Sequence, residues 1–172
     1  LGEIFSGVTM GFGILFLSVY VNAFDKGIAN LVWTGRTITL QLDIILILEI
    51  ILISLPCIFT IANIMLANNI CDLEDDIKNH RFTLPYYIGK KYAIWLFNGM
   101  YIASFLAIFA AILLNLLPNT MYLALLACIP VYKHVSLFNR NQNKAETFVV
   151  SVKNLILING SVSAILCLVV LL

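Results

Sequence analysis

Residues 68–81 read NNICDLEDDIKNHR, and the rest of the chain is organised around this polar stretch. It follows a long apolar run directly, and residues 72–81 hold four acids and two bases. Charged side chains are costly in lipid, so they are found where they pair, face a cavity or bind an ion. The stretch therefore marks one mouth of a membrane-embedded bundle and is the leading candidate for a functional site.

The overall composition is that of an integral membrane protein. The chain has 172 residues, of which 62% are hydrophobic and 11% charged, and its mean hydropathy is +1.00. A soluble domain carries charge on about 25% of its residues. The net charge is only +1 and there is no basic run, so we expect no nucleic-acid partner.

Five apolar runs predict five transmembrane helices, because a helix needs roughly 20 apolar residues to cross the hydrocarbon. The runs cover residues 1–24, 43–67, 92–117, 120–138 and 147–172. In the first run, Gly7 and Gly11 have the spacing that lets two helix backbones approach closely. We therefore predict an all-α polytopic transmembrane helix bundle, with residues 1–172 in a single transmembrane domain.

The basic residues predict how the bundle is oriented. They are concentrated around the connection between the second and third runs and around the connection between the fourth and fifth runs. If the five spans alternate in direction, these two connections lie on the same side of the membrane. The residues are Lys78, Arg81, Lys90 and Lys91 around the first of these connections, and Lys133, Arg140, Lys144 and Lys153 around the second. The connection between the first and second runs has only Lys26 and Arg36. Because basic loops stay on the cytoplasmic side, residues 68–81 are predicted to face the cytoplasm.

Within the polar stretch, Asn68, Asp72 and Asp76 are spaced four residues apart, so on a continuous helix they share one stripe. Carboxylates converging in this way repel each other unless a cation binds between them. Mg²⁺ takes one or two protein carboxylates and completes its shell with water and substrate phosphates. Lys78 and Arg81 follow closely and suit phosphate oxygens. The competing interpretation is a solvated loop whose charges only keep it in water.

This motif resembles the second aspartate-rich motif of the UbiA prenyltransferase superfamily. The similarity continues past the acids, and the doubled Asn and the later Thr-Leu pair look most like the 1,4-dihydroxy-2-naphthoate polyprenyltransferases of menaquinone biosynthesis. The residues that carry it are Asn68, Asn69, Asp72, Asp76, Asn79, Arg81, Thr83, Leu84, Ile88 and Gly89, with Leu1, Gly2, Glu3, Ser6, Gly7, Met10 and Gly11 near the start. One departure is His80, which stands where the family has glycine.

The resemblance implies a bundle of about nine helices in a bacterial cell membrane, of which this chain supplies the fifth to the ninth. It implies that Mg²⁺ bridges two aspartate-rich motifs and the diphosphate of a polyprenyl donor. Asp72 and Asp76 are then catalytic and metal-binding, Asn68 is a further metal ligand, and Lys78 and Arg81 bind diphosphate. The first motif is missing from residues 1–172. We therefore expect the domain to be incomplete at its N-terminus, and the chain to be inactive alone.

The implied function is Mg²⁺-dependent transfer of a polyprenyl group to an aromatic acceptor at the lipid bilayer, with 1,4-dihydroxy-2-naphthoate favoured. One alternative keeps the chemistry and changes the acceptor, for example to 4-hydroxybenzoate. Another is a non-enzymatic transporter or cation-binding membrane protein. That option predicts acids along a path through the membrane, whereas only Glu49 lies deep in a span here.

Overall fold

The structure, a computed structural model, describes residues 2–172. Five of its helices are long and apolar enough to span a membrane, as predicted, and the fold class is confirmed. They are α1 (Gly2–Asn22), α2 (Ile44–Cys71), α5 (Lys90–Leu113), α6 (Asn119–Arg140) and α7 (Val149–Leu171). Two short helices, α3 (Leu73–Lys78) and α4 (Leu84–Ile88), lie between α2 and α5. The polar stretch thus occupies the end of α2 and the whole of α3.

Two of the spanning helices change their winding part-way. Residues Gly7–Gly13 of α1 form a π-helical segment, with α-helix on both sides. Helix α6 begins as a 3₁₀-helix over Asn119–Ala127 and becomes α-helical over Cys128–Arg140. By contrast, α2 remains α-helical through Pro56 and continues four residues beyond the predicted end of its apolar run.

The connection between α1 and α2 is more ordered than expected. After a short 3₁₀ turn at Phe24–Lys26, the chain forms an antiparallel hairpin of β1 (Ala29–Trp33) and β2 (Ile38–Leu42). The hairpin lies between the first two predicted apolar runs, which cover residues 1–24 and 43–67, and no strand was predicted there. In β2 the apolar residues alternate with polar ones, and that period of two suits a strand better than a helix. In β1 the alternation is interrupted by Val32.

Helix α2 lies at the centre of the bundle, in contact with α1, α5 and α7. Its contact with α1 is very close, as the glycine spacing predicted. A Cβ added to Gly7 would lie 2.8 Å from the carbonyl oxygen of Ile58, and one added to Gly11 would lie 2.6 Å from the Cα of Ile58. The two glycines therefore let the α1 backbone rest directly on the α2 backbone.

The apolar core is formed mainly by α2, α5, α6 and α7. Its largest buried members include Phe97 on α5 and Phe138 on α6, whose ring centroids are 4.5 Å apart. The outward faces of the helices are also apolar but exposed, for example at Ile45, Ile102 and Leu123. A surface of this kind is compatible with surrounding lipid. The start of α1, the end of α2 and the α6–α7 connection meet at one end of the bundle, where the charged cluster lies.

Candidate functional site

The helix that carries the aspartates breaks at the first of them. Asp72 separates α2 from α3, with φ −91° and ψ 4°. The hydrogen-bond ladder nevertheless continues across the break: the Asp72 N–H donates to the Asn68 carbonyl at 3.0 Å, and the Asp76 N–H donates to the Asp72 carbonyl at 2.8 Å. Asn68, Asp72 and Asp76 therefore lie on successive turns, in the arrangement that their spacing suggested.

Asp76 is the most buried carboxylate of the cluster, with a side chain only 8% exposed. Arg81 lies beside it, with Nη1 3.6 Å from Asp76 Oδ1, although the Arg81 side chain is 72% exposed. The backbone supports this pairing, because the Arg81 N–H donates to the Asp76 carbonyl at 2.8 Å. The guanidinium thus has one buried anionic partner, and its exposed donors face solvent.

His80 is where the chain turns back to make that contact. Its φ of 54° is in the left-handed region. For an L-residue this conformation costs roughly 1–2 kcal/mol, whereas glycine adopts it freely. The family glycine and His80 are therefore compatible with the same loop geometry.

Replacing His80 tests this local conformation. We expect His80→Gly to change the free energy of unfolding by less than about 1 kcal/mol, because the relief of strain is offset by the greater entropy of glycine in the unfolded chain. His80→Val should destabilise the protein by about 1–2 kcal/mol, since a β-branched residue is disfavoured at positive φ. Unfolding in detergent by denaturant measures both variants. Equal stability of the two would contradict the left-handed loop.

Asp72 is paired with a residue far away in the sequence. Its carboxylate makes an ion pair with the ammonium group of Lys144, which lies in the connection between α6 and α7. From the sequence, Lys144 was predicted only to be one of several basic residues in a cytoplasmic loop. Residues that are 72 positions apart have no spacing pattern in the sequence that would reveal their contact. The one available clue was that the α2–α5 and α6–α7 connections are predicted to lie on the same side of the membrane.

The structure places the other proposed site residues as follows. Asn68 is half-buried at the end of α2. Lys78 lies on the exposed side of α3, where its ammonium is 3.2 Å from Asp75 Oδ1. Asn69 is buried and donates a hydrogen bond to Glu3 Oε1 at 2.7 Å. The doubled asparagine thus has two roles: Asn68 lies in the aspartate stripe, and Asn69 joins α2 to α1.

The donor set suits a hard divalent cation such as Mg²⁺, but it is a partial set. Two carboxylates with an amide oxygen on the preceding turn match the one or two protein carboxylates that Mg²⁺ takes. Both carboxylates already attract cationic side chains, Lys144 and Arg81. Across residues 2–172, no three His, Cys, Asp or Glu side chains converge as a metal site. Further oxygen ligands would have to come from a phosphate, from water or from other protein residues.

An apolar cavity lies between α5 and α6. It has a volume of about 320 Å³ and is lined by Asn98, Tyr101, Ile102, Phe105, Cys128, Val131, Tyr132, Val135 and Asn139. Aliphatic and aromatic side chains provide most of its wall. It can therefore receive a hydrocarbon chain, although it does not include the residues of the charged cluster.

The fold and the cluster define a polytopic membrane protein with an aspartate-rich motif at one end of its helices. The UbiA prenyltransferase family matches residues 1–159, and the chain belongs to this family. It is similar to the 1,4-dihydroxy-2-naphthoate octaprenyltransferase of Bacillus subtilis (strain 168), with 30% identity over 105 residues. The match covers 61% of this chain and 27% of that protein, so it spans about a quarter of the relative's length. No solved structure matches significantly.

Proposed function

We propose that the protein takes part in the transfer of a polyprenyl group from polyprenyl diphosphate to an aromatic acceptor, with 1,4-dihydroxy-2-naphthoate as the acceptor and menaquinone biosynthesis as the pathway. The observation that carries the proposal is the pair of aspartates on successive turns, each already holding a cationic side chain, at the end of an apolar bundle. Family membership and the name of the Bacillus subtilis relative support the reaction class and the acceptor.

In this proposal, the charged cluster binds the head of the donor. Arg81 has exposed N–H donors beside Asp76, and Lys144 places an ammonium at Asp72, so both can meet diphosphate oxygens. Lys78 is also exposed at this end and serves as a further diphosphate contact. Asp72, Asp76 and Asn68 would hold Mg²⁺. When bound, the ion would supply charge neutralisation for the departing diphosphate.

The reaction breaks the allylic C–O bond and the C–C bond to the carboxylate, and it forms one new C–C bond. The electron pair of the broken C–C bond returns to the ring. The allylic C–O bond breaks and its electron pair leaves with the diphosphate. The electron-rich ring carbon that bears the carboxylate bonds to the allylic carbon, and the carboxylate is lost as CO₂. Arg81 and Lys144 would stabilise the leaving group electrostatically, and the apolar helices would keep water from the reactive prenyl carbon. The prenyl chain would extend into apolar space such as the cavity between α5 and α6.

The orientation proposed for this reaction follows from the basic loops. Lys78, Arg81 and Lys144 all lie at the same end of the bundle as Asp72 and Asp76. Basic residues near helix ends favour the cytoplasmic side. The donor and the aromatic acid would therefore reach the site from the cytoplasm, and the prenyl tail would remain in the bilayer.

The test of function uses membranes that contain the complete gene product, Mg²⁺ and a polyprenyl diphosphate. Each aromatic acid is supplied separately, and products are identified by mass spectrometry. We expect a prenylated naphthol from 1,4-dihydroxy-2-naphthoate, loss of product with EDTA, and recovery on adding Mg²⁺. A product from 4-hydroxybenzoate alone would overturn the acceptor, and no product from any acid would overturn the transferase assignment.

A separate prediction concerns Lys144. We expect Lys144→Gln to raise the KM for polyprenyl diphosphate by about tenfold or more, because a hydrogen bond to a charged group contributes about 1.5–3 kcal/mol. The KM for the aromatic acceptor should change little. Steady-state kinetics in membranes measure both constants.

The matched control for that prediction is Lys153→Gln, which removes an exposed lysine near the start of α7. It should leave the donor KM at the parent value. An equal change in both variants would show that the effect comes from general surface charge, and would remove Lys144 from the site.

A further inference from the structure

The hairpin at the opposite end of the bundle has two chemically different faces. Its register pairs Ala29 with Leu42, Leu31 with Leu40 and Trp33 with Ile38; the intervening pairs are Asn30 with Gln41 and Val32 with Thr39. Because side chains alternate across a strand, the first three pairs share one face and the other two share the opposite face. The first face is wholly apolar, and the second is mostly polar.

Within residues 2–172, the apolar face is uncovered except at Ala29, which is half-buried. The exposed fraction is 73% for Trp33, 69% for Ile38 and 67% for Leu31. An isolated two-stranded hairpin is marginally stable in water, and a contiguous exposed apolar patch usually marks a contact surface. The face therefore needs a partner that is itself apolar.

The position of the hairpin identifies that partner. Strand β2 ends at Leu42, and the next residue, Asp43, caps α2 by accepting a hydrogen bond from the Leu46 N–H at 3.0 Å. Asp43 also donates its own N–H to the Ile28 carbonyl at 3.1 Å, which fixes the base of the hairpin to the start of a spanning helix. The hairpin is thus joined directly to the first residue of a helix that is long and apolar enough to span a membrane.

The residues that border the hairpin in the chain are also apolar and exposed. Val21 and Phe24 near the end of α1, and Ile44 and Ile45 at the start of α2, are all largely exposed. These positions precede and follow the hairpin in the chain, at the ends of two helices that are long and apolar enough to span a membrane. Tryptophan is favoured at this depth, because its ring is apolar while its N–H can reach polar headgroups.

We propose that the hairpin is a membrane-surface anchor, whose apolar face lies in the interfacial region of the leaflet opposite the charged cluster. Phospholipid acyl chains cover Leu31, Trp33, Ile38 and Leu40. Arg36, in the turn between the strands, is free to contact lipid phosphates, and the Asn30–Gln41 face remains in water. The anchor is independent of the proposed transferase chemistry and holds the ends of α1 and α2 at a defined depth.

Tryptophan fluorescence tests this directly, since Trp33 and Trp95 are the two tryptophans of the chain. In the Trp95→Phe variant, Trp33 is the one tryptophan left in residues 1–172. Any tryptophan elsewhere in the complete gene product is also replaced by Phe, so that Trp33 is the only reporter. The protein is placed in phosphatidylcholine nanodiscs with and without brominated acyl chains. We expect a blue-shifted emission that is quenched by brominated lipid and protected from iodide.

The matched control moves the reporter to the polar face of the same hairpin. Thr39→Trp, in a Trp33→Phe/Trp95→Phe background, places the ring beside the Trp33–Ile38 pair but on the opposite face. It should emit at longer wavelength and be quenched by iodide rather than by brominated lipid. If Trp33 behaves like this control, the anchor is refuted. If Trp33 is protected from both quenchers, protein covers the face, and the lipid assignment is equally refuted.

A charge substitution provides a second test that does not move the reporter. Ile38→Asp puts a carboxylate on the apolar face, directly opposite Trp33, whereas Thr39→Asp puts it on the other face. We expect Ile38→Asp to shift Trp33 emission to longer wavelength and to abolish quenching by brominated lipid. Thr39→Asp should change neither. An unchanged Trp33 signal in Ile38→Asp would contradict insertion of this face.

Discussion

Asp76→Ala and Asp72→Ala are each expected to reduce prenyl transfer by about 10³-fold or more, which is the scale of losing a group that stabilises transition-state charge. Asp76 combines the deepest burial in the cluster with the Arg81 contact, and Asp72 joins the cluster to Lys144. Removing either carboxylate takes away a proposed Mg²⁺ ligand and a partner of a proposed diphosphate-binding base. Product formation by each variant in membranes, at matched protein levels, measures the loss.

A control acid separates this effect from a general loss of charge. Glu74 belongs to the same stretch and is exposed, and it makes no ion pair among the residues that the structure describes. Glu74→Gln should therefore retain activity near that of the parent. All three variants should insert into the membrane to the same level, because the substitutions lie at the end of the bundle. Normal turnover in Asp72→Ala or Asp76→Ala would falsify the site assignment.

Gly11→Leu is expected to have the largest effect on folding. Even a single Cβ at residue 11 would lie 2.6 Å from Ile58 Cα and 2.7 Å from Ile58 N, and both of these are backbone atoms that cannot rotate away. Overpacking typically costs about 1–3 kcal/mol, and a leucine against a helix backbone lies at or above the upper end of that range. We expect α1 to separate from α2, with a marked fall in the thermal unfolding midpoint in detergent.

Gly13 offers the matched control on the same helix. A Cβ at Gly13 would come no closer than 3.7 Å to the Val8 carbonyl oxygen, which is an ordinary contact. Gly13→Ala should therefore be neutral or slightly stabilising, because alanine is favoured over glycine in a helix by about 1 kcal/mol. Gly11→Ala should be destabilising. If Gly11→Ala is as stable as Gly13→Ala, the close approach of α1 to Ile58 is wrong.

The helical part of the fold was predictable because hydropathy and length are sufficient to identify spanning helices. The five predicted runs match the five helices to within a few residues, and the Gly7–Gly11 spacing identified the contact made by α1. These features depend on local composition or on a short sequence spacing. The family could also be predicted, because its motif is contained in one continuous stretch.

The features that were missed depend on tertiary context. The pairing of Asp72 with Lys144 joins two loops that have no sequence relationship, and the hydrogen bond of Asn69 to Glu3 joins two different helices. The hairpin was missed because its strands border a spanning helix, and the run of apolar residues hid their alternation. The left-handed backbone of His80 was flagged only by the family glycine that it replaces.

The change of winding in α6 has a consequence for its reach. A 3₁₀-helix rises about 2.0 Å per residue against about 1.5 Å in an α-helix, so the nine residues of Asn119–Ala127 lengthen α6 by roughly 4–5 Å. Its 22 residues extend as far as about 25 residues of ordinary α-helix. The extra length is equivalent to almost one α-helical turn. The extra length determines how far along the bundle axis α6 reaches before it ends at Arg140. The loop that follows starts from that position and brings Lys144 to Asp72.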